Sequence, residues 1–391
     1  MKYIRGEIYT ATEHLLDGAV IVAEGHIRAV GLAVDITVPF GAEIIRLAEG
    51  ERLIPGLIDI HVNGGGGYCF ARRDTFLTEL ESYARWLPRG ATTGFLLSIA
   101  APTHEELAAL GDIVGAAAVR GTSGARVLGV HMEGPFLNPQ RKGAFSPDWL
   151  RPPDVEEAEE YLAACHGQLK VITIAPDLTG SDLVAQRLHA AGVVVALGHT
   201  NASFEVAQAA LQGDFTHVTH AFNAMRGFQH RDPGTVGAVL TSERVTAELI
   251  PDGVHVHPGA MQLLLRCLGT DRVILVTDAM AAAGLGDGEY SLFGQTVRVR
   301  QGKATLSDGT IAGSVLTMNQ AVCNVAAWLN VPFGEAVKMA SLNPARVLGL
   351  ADRLGSIAVG KQADLAVLDA AGETVWTMVR GEFVYQREGG V

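Results

Sequence analysis

Gly129-Val130-His131-Met132-Glu133-Gly134-Pro135-Phe136-Leu137 is an apolar run that ends in an acid and is followed at once by chain breakers. This is the pattern of a buried strand whose carboxyl end carries chemistry. Three later stretches repeat it: Val194-Val195-Ala196-Leu197-Gly198-His199-Thr200, Phe215-Thr216-His217-Val218-Thr219-His220 and Val273-Ile274-Leu275-Val276-Thr277-Asp278. One Glu, two His and one free Asp at parallel strand ends are what a hydrolytic metal needs. Glu133, His199 and His220 as ligands leave a coordination position open for water, and Asp278 can take that water's proton.

From Leu53-Ile54-Pro55-Gly56-Leu57-Ile58-Asp59-Ile60-His61 onward, short apolar runs alternate with helical stretches of about a dozen residues, the spacing of βα units. Strands are expected near 54–61, 92–99, 127–133, 171–176, 193–199, 215–220, 246–252 and 273–278. Eight such units predict an α/β fold, a (β/α)₈ TIM barrel, with its active site at the carboxyl ends of the strands. Later helices, Val315 to Trp328 and Phe333 to Leu342, close it. The first fifty residues read instead as hairpins, with Glu24-Gly25 at one turn, and the stretch from Gly355 onward looks the same. The expected organisation is a barrel over 53–354 and a small β-sandwich domain formed by the two chain ends, 1–52 plus 355–391.

Composition fits this frame. Of 391 residues, 48% are hydrophobic and 18% charged, enough for strands buried on both faces. No apolar segment approaches the roughly 20 residues of a membrane span, and the start lacks the apolar run of a signal peptide. Cys69, Cys165, Cys267 and Cys323 lie far apart, as in a reduced cytoplasmic protein. The formal charge of −12 argues against nucleic acid, so any phosphate needs its own local cations.

The motifs Pro55-Gly56-Leu57-Ile58-Asp59, His131-Met132-Glu133-Gly134-Pro135, Leu197-Gly198-His199-Thr200, Thr219-His220-Ala221-Phe222-Asn223-Ala224-Met225, Asp252-Gly253-Val254-His255, Val276-Thr277-Asp278 and Ala312-Gly313-Ser314 resemble the amidohydrolase superfamily. Within it they are similar to the deacetylases of N-acetylglucosamine 6-phosphate, nearly end to end. The resemblance implies release of acetate from that sugar phosphate by a homodimer whose neighbouring chain helps hold the substrate. It also implies that Asn223 and Ala224 lie near the phosphate and that Arg231 and His255 bind it. Ile311, Ala312 and Gly313 belong to the implied sugar pocket, and Ala144 and Asp252 are further implied substrate-binding residues. A planar arginine fork suits a phosphate, although Arg231 read alone is an exposed loop residue.

Two departures from the family pattern stand out. Phe145 occupies a place where many relatives have a histidine that polarises the scissile carbonyl, so the metal, Lys142 or a different substrate must make up the difference. His61-Val62-Asn63 stands where many amidohydrolases have His-x-His for a second ion, and Asn63 is a poor transition-metal ligand. One divalent ion per chain is therefore expected, zinc ahead of iron, manganese or cobalt. His61 is left to a weak second site or to contact with water. Period-two alternation places His217 on the strand face opposite His220, and His131 is expected beside Glu133 without being a ligand. A cyclic-amide hydrolase is disfavoured because strand four, Val171 to Asp177, ends without a bridging lysine. A catalytically dead scaffold is disfavoured because all four key residues are present.

Overall fold

The computed structural model describes residues 1–70 and 72–388. Eight parallel strands form the barrel in sequence order: Leu57–Val62, Thr92–Ile99, Arg126–Glu133, Leu169–Ile174, Val194–Leu197, Phe215–Val218, Thr246–Leu249 and Val273–Leu275. Closure comes past the end of the last strand, where Asn63 N donates to Ala279 O at 2.8 Å and Asp278 N to His61 O at 2.9 Å. Helices follow in alternation, from Phe76–Trp86 after the first strand to Met318–Leu329 after the eighth. Several start where the sequence supplies an oxygen for a free backbone N–H: Thr103 accepts from Glu106 N, Asp154 from Glu157 N and Ser203 from Val206 N.

The strands are buried on both faces, as a parallel sheet requires. Leu57, Leu97, Val130, Ile172, Leu197, Leu249 and Leu275 pack outward against the helices. Ile58, Ile60, Leu96, Val171, Ala196, Ile274 and Val276 fill the lumen. Two residues further up several strands, the same inward phase carries Ser98, His131, Thr173 and Glu133, so the lumen changes from apolar below to polar above.

The two chain ends form a single continuous eight-stranded sheet. Arg52–Pro55 links its halves, running parallel to Lys2–Tyr9 and antiparallel to Leu365–Leu368. The strand expected over 54–61 is thus two strands that belong to different sheets. The break falls at Gly56, where a side chain has no room: a Cβ would lie 2.2 Å from Thr93 Oγ1. The Glu24-Gly25 turn is present, with φ of 52° and 74°, the left-handed pair that a two-residue hairpin turn demands. A buried ion pair, Arg126 with Asp364, ties the foot of the third barrel strand to the end sheet.

Three further strands, Gly288–Leu292, Gln295–Arg300 and Lys303–Thr305, form a small antiparallel sheet between the last barrel strand and its helix. The sequence reading did not anticipate it. The closing helices are Met318–Leu329, Phe333–Met339 and Leu342–Val347, the first beginning three residues later than expected.

Candidate metal centre and substrate pocket

Glu133 is the last residue of the third strand, but the other site residues lie beyond the ends of theirs. His199 and His220 each follow their strand by two residues and Asp278 follows by three. The expectation that these strands end on the site residues is corrected accordingly. All three have left-handed backbone, with φ of 45°, 29° and 46°. Such a conformation costs a side chain of order 1–3 kcal/mol and persists only where neighbours enforce it. They do so here. Asn138 N donates to His199 O, Asn223 N to His220 O, and Ser314 N to Asp278 O. The kink turns each side chain from the strand line into the mouth of the barrel.

The outcome is convergence. Glu133 Oε1 lies 3.0 Å from His199 Nε2 and 3.3 Å from His220 Nε2, and the two Nε2 atoms are 2.9 Å apart. Donor atoms bound tetrahedrally at 2.0–2.1 Å from one zinc ion would lie about 3.3 Å apart, so the three fit a single divalent ion after small shifts. Their chemistry fits too: two imidazoles and a carboxylate. His199 donates Nδ1–H to Arg141 O at 2.8 Å, which leaves Nε2 as a lone pair aimed at the common point. Burial opposes charge on Glu133, but His61, His199 and His220 outweigh it and hold the carboxyl well below its usual range.

Asp278 stands beside this cluster. Its Oδ1 accepts from Asn63 Nδ2 at 2.7 Å. Burial pushes its pKa up, with the Glu133 charge adding to the effect against His61. His61 is enclosed, with Nε2 3.4 Å from Glu133 Oε2 and 3.5 Å from Asp278 Oδ1. Its other nitrogen, Nδ1, faces Glu248 Oε2 at 2.9 Å.

The pocket above the cluster is lined by Asn63, Glu133, His199, His220 and Asp278 at its floor. Ala144, Asn223, Ala224, His255, Ile311 and Gly313 line its sides. Two more of the expected substrate residues support it from behind. Asp252 Oδ2 accepts from His255 Nδ1 at 2.7 Å, and Ala312 is fully buried. Arg231 is not brought in: it is exposed on the Gln229–Asp232 turn and is absent from the lining. Arg141 and Lys142 are the cations at the pocket wall, the former bonded to Asn201 Oδ1 at 3.0 Å.

Phe145 is 4% exposed and packs against His199, ring centres 5.4 Å apart, and against Phe293 at 5.6 Å. Phe293 sits at the hairpin tip of the unanticipated small sheet, so that sheet supplies part of the pocket wall. His217 requires a correction. Its Nε2 reaches Glu248 Oε1 at 3.3 Å while His220 Nε2 reaches Glu133 Oε1 at 3.3 Å, so both rings turn to the inside of the barrel. Alternation fails as a guide because the strand stops at Val218 and the backbone reverses at His220. His131 bonds Ser98 Oγ and Thr173 Oγ1, each at 2.9 Å, and touches no cluster donor directly.

Sequence reasoning missed Glu248. Its signal was available: an acid flanked by Ala247 and Leu249 in an apolar strand must find partners inside the protein.

Three strand-end residues able to hold one divalent ion in a parallel barrel, with a carboxylate beside them, are the site expected of a metal-dependent hydrolase. The Amidohydrolase family model matches residues 52–384, and the chain belongs to that family. Its full-length similarity is to sugar-phosphate deacetylases. It is 36% identical over 381 residues to the N-acetylglucosamine-6-phosphate deacetylase of Bacillus subtilis, covering 97% of this chain and 95% of that one. It is 38% identical to an N-acetylgalactosamine-6-phosphate deacetylase of Escherichia coli O157:H7, covering 85% and 88%. A point mutant of the N-acetyl-D-glucosamine-6-phosphate deacetylase of Mycobacterium smegmatis, solved with N-acetyl-D-glucosamine 6-phosphate, superposes with a TM-score of 0.91 at 34% identity over 98% of this chain and 99% of that one.

Proposed function

We propose that this chain hydrolyses the acetamide of N-acetylglucosamine 6-phosphate to acetate and glucosamine 6-phosphate, in amino-sugar catabolism. The observation that carries the reading is the convergence of Glu133 Oε1, His199 Nε2 and His220 Nε2 within 3.3 Å beside a half-buried Asp278. Full-length similarity to deacetylases of this substrate supports the substrate class.

A divalent ion on those three residues, zinc by its ligand chemistry, supplies Lewis acidity and brings the ionisation of water into the neutral range. Asp278 takes the proton of the attacking water, whose oxygen bonds to the acetyl carbon. An amide nitrogen leaves poorly without a proton, so Asp278 returns that proton to nitrogen as the C–N bond breaks. Asn63 occupies Asp278 Oδ1 and leaves Oδ2 for the transfer. Phe145 has no hydrogen to donate to the carbonyl. His61 Nε2, aimed between Asp278 and Glu133, is placed to contact the water or the substrate.

Asn223, Ala224 and His255 are assigned to the phosphate side, Ile311, Ala312 and Gly313 to the sugar, and Ala144 and Asp252 to substrate binding, Asp252 through its bond to His255. Because Arg231 is exposed and outside this pocket, its phosphate role requires a homodimer in which it reaches the neighbouring chain's site. The cytoplasm is the compartment we assign. Four unpaired cysteines support it, and among the described residues no helix is long and apolar enough to cross a membrane.

The test is acetate release from a panel of N-acetylglucosamine and N-acetylgalactosamine, each with and without a 6-phosphate. Turnover of N-acetylglucosamine 6-phosphate well above its unphosphorylated parent is expected. A preference for the galactosamine substrate would move the assignment to that sugar, and no release from any of them would end it.

A further inference from the structure

Glu248 lies wholly inside the barrel and does not line the pocket. A buried carboxylate is tolerated only when its oxygens are met by donors. Here Oε2 faces His61 Nδ1 and accepts from His220 N, both at 2.9 Å, while Oε1 faces His217 Nε2 at 3.3 Å. His217 is anchored in turn, its Nδ1 2.6 Å from Thr246 Oγ1. These contacts cross the lumen, from the seventh strand to the first on one side and to the sixth on the other.

We infer that Glu248 is a positioning residue for the reaction: from beneath the site it fixes the ring orientation and Nδ1–H tautomer of His61. This rests on the deacetylase reading above. A side chain of Glu248's size that merely filled space would carry no charge here, because an apolar one fills the lumen without a desolvation penalty. What a carboxylate adds is acceptance from several donors at once. With His61 Nδ1–H committed to Glu248, the opposite nitrogen can point only along the ring axis, between Glu133 and Asp278. His61 Nε2 has no hydrogen-bond partner of its own there, although it is fully enclosed. A nitrogen so directed is set for the reacting groups, and Glu248 is what directs it.

The test uses the full-length, metal-loaded enzyme. Glu248→Gln keeps the volume but offers one acceptor oxygen and an NH₂ that must face a donor. Changing an outer partner of this kind typically lowers activity about 10–100-fold. We expect a kcat loss in that range, a KM within about threefold of wild type, and unchanged metal content by elemental analysis. In a His61→Ala background the same substitution should cost no more than about threefold, since the group it orients is gone. Nitrogen-15 histidine spectra of the wild type should show His61 with a protonated, strongly hydrogen-bonded Nδ1, assigned by its loss in His61→Ala. That measurement needs no Glu248 variant to fold. An equal kcat loss in both backgrounds, an unchanged kcat, or a wild-type His61 without a proton on Nδ1 would each overturn the inference. If wild type releases no acetate, the deacetylase reading fails, while the spectra still judge the Glu248–His61 contact by itself.

Discussion

Asn63 Nδ2 donates to Asp278 Oδ1 at 2.7 Å, joining the end of the first barrel strand to the carboxylate that follows the eighth. The same turn is held by Asp278 N donating to His61 O at 2.9 Å. The residue that weakens the case for a second metal ion thus fixes the base in place. A hydrogen bond to a charged acceptor is worth about 1.5–3 kcal/mol, so losing it should loosen Asp278 measurably. Asn63→Ala is expected to lower kcat about tenfold and leave metal content unchanged. A variant with wild-type kcat would show that Asp278 needs no such support.

Asp278 itself should matter far more. Asp278→Asn keeps the shape of the site and every metal ligand, but it can neither take nor return a proton. Deacetylation should fall by orders of magnitude while elemental analysis returns the wild-type metal content. Near wild-type turnover would remove Asp278 from the role of base.

Arg231 offers a test of the dimer. A bidentate arginine contact to phosphate is worth about 1.5–3 kcal/mol, or roughly ten- to more than a hundredfold in affinity. Arg231→Ala should raise KM for the 6-phosphate substrate by that factor and barely alter an unphosphorylated analogue. Equal losses on both substrates would mark Arg231 as structural. The wild-type protein should also sediment as a dimer, and a monomer with full activity would refute delivery of Arg231 from a neighbouring chain.

The fold was legible where one rule sufficed. Apolar runs such as Val194–Leu197 and Val273–Leu275 reveal buried strands, and an ionisable residue just after each is too costly to bury idly. Three features escaped because they depend on more than local pattern. The bends at His199, His220 and Asp278 put φ positive at residue types that tolerate it better than most but still adopt it only where neighbours enforce it. The sheet over Gly288–Thr305 has short strands with partly exposed faces, and its alternation is weak beside the barrel's long apolar runs. Glu248 is marked locally as an acid in an apolar strand, but its partner His61 lies on the far side of the chain order, so its task is not legible from the strand alone.

His131 makes the stability of the fold sensitive to acid. It is fully enclosed; burial, reinforced by the nearby His61, lowers its pKa to about 3. In the unfolded chain a histidine titrates near 6.5. Between about pH 6.5 and 3 the unfolded state therefore binds a proton that the folded state refuses, and stability falls as pH falls through that window. This one group contributes at most about 1.4 kcal/mol per pH unit. His131→Asn cannot titrate, so its denaturant midpoint should drop less between pH 7 and pH 5 than that of wild type. Parallel losses in the two proteins would assign the acid sensitivity to other groups.

Metal stoichiometry discriminates between the two roles open to His61. A second ion beside Glu133 would sit near His61 Nε2, which lies 3.4 Å from Glu133 Oε2 and 3.5 Å from Asp278 Oδ1. It would lack a further strong ligand of its own. Asn63 offers only a neutral amide oxygen, a poor ligand for a transition metal, and Thr173 near the end of the fourth strand bonds His131 Nε2 and Thr219 Oγ1 instead of an ion. Ligands shared with the first site and the base hold an ion weakly, whereas Glu133, His199 and His220 form a complete facial set with a position left open. Protein purified without chelator should therefore carry close to one equivalent of divalent metal, zinc by preference. His61→Ala should keep that equivalent and lose turnover, because His61 serves the water and substrate. His199→Ala should lose the metal itself. Two tight equivalents in the wild type, one of them gone in His61→Ala, would instead make His61 a ligand.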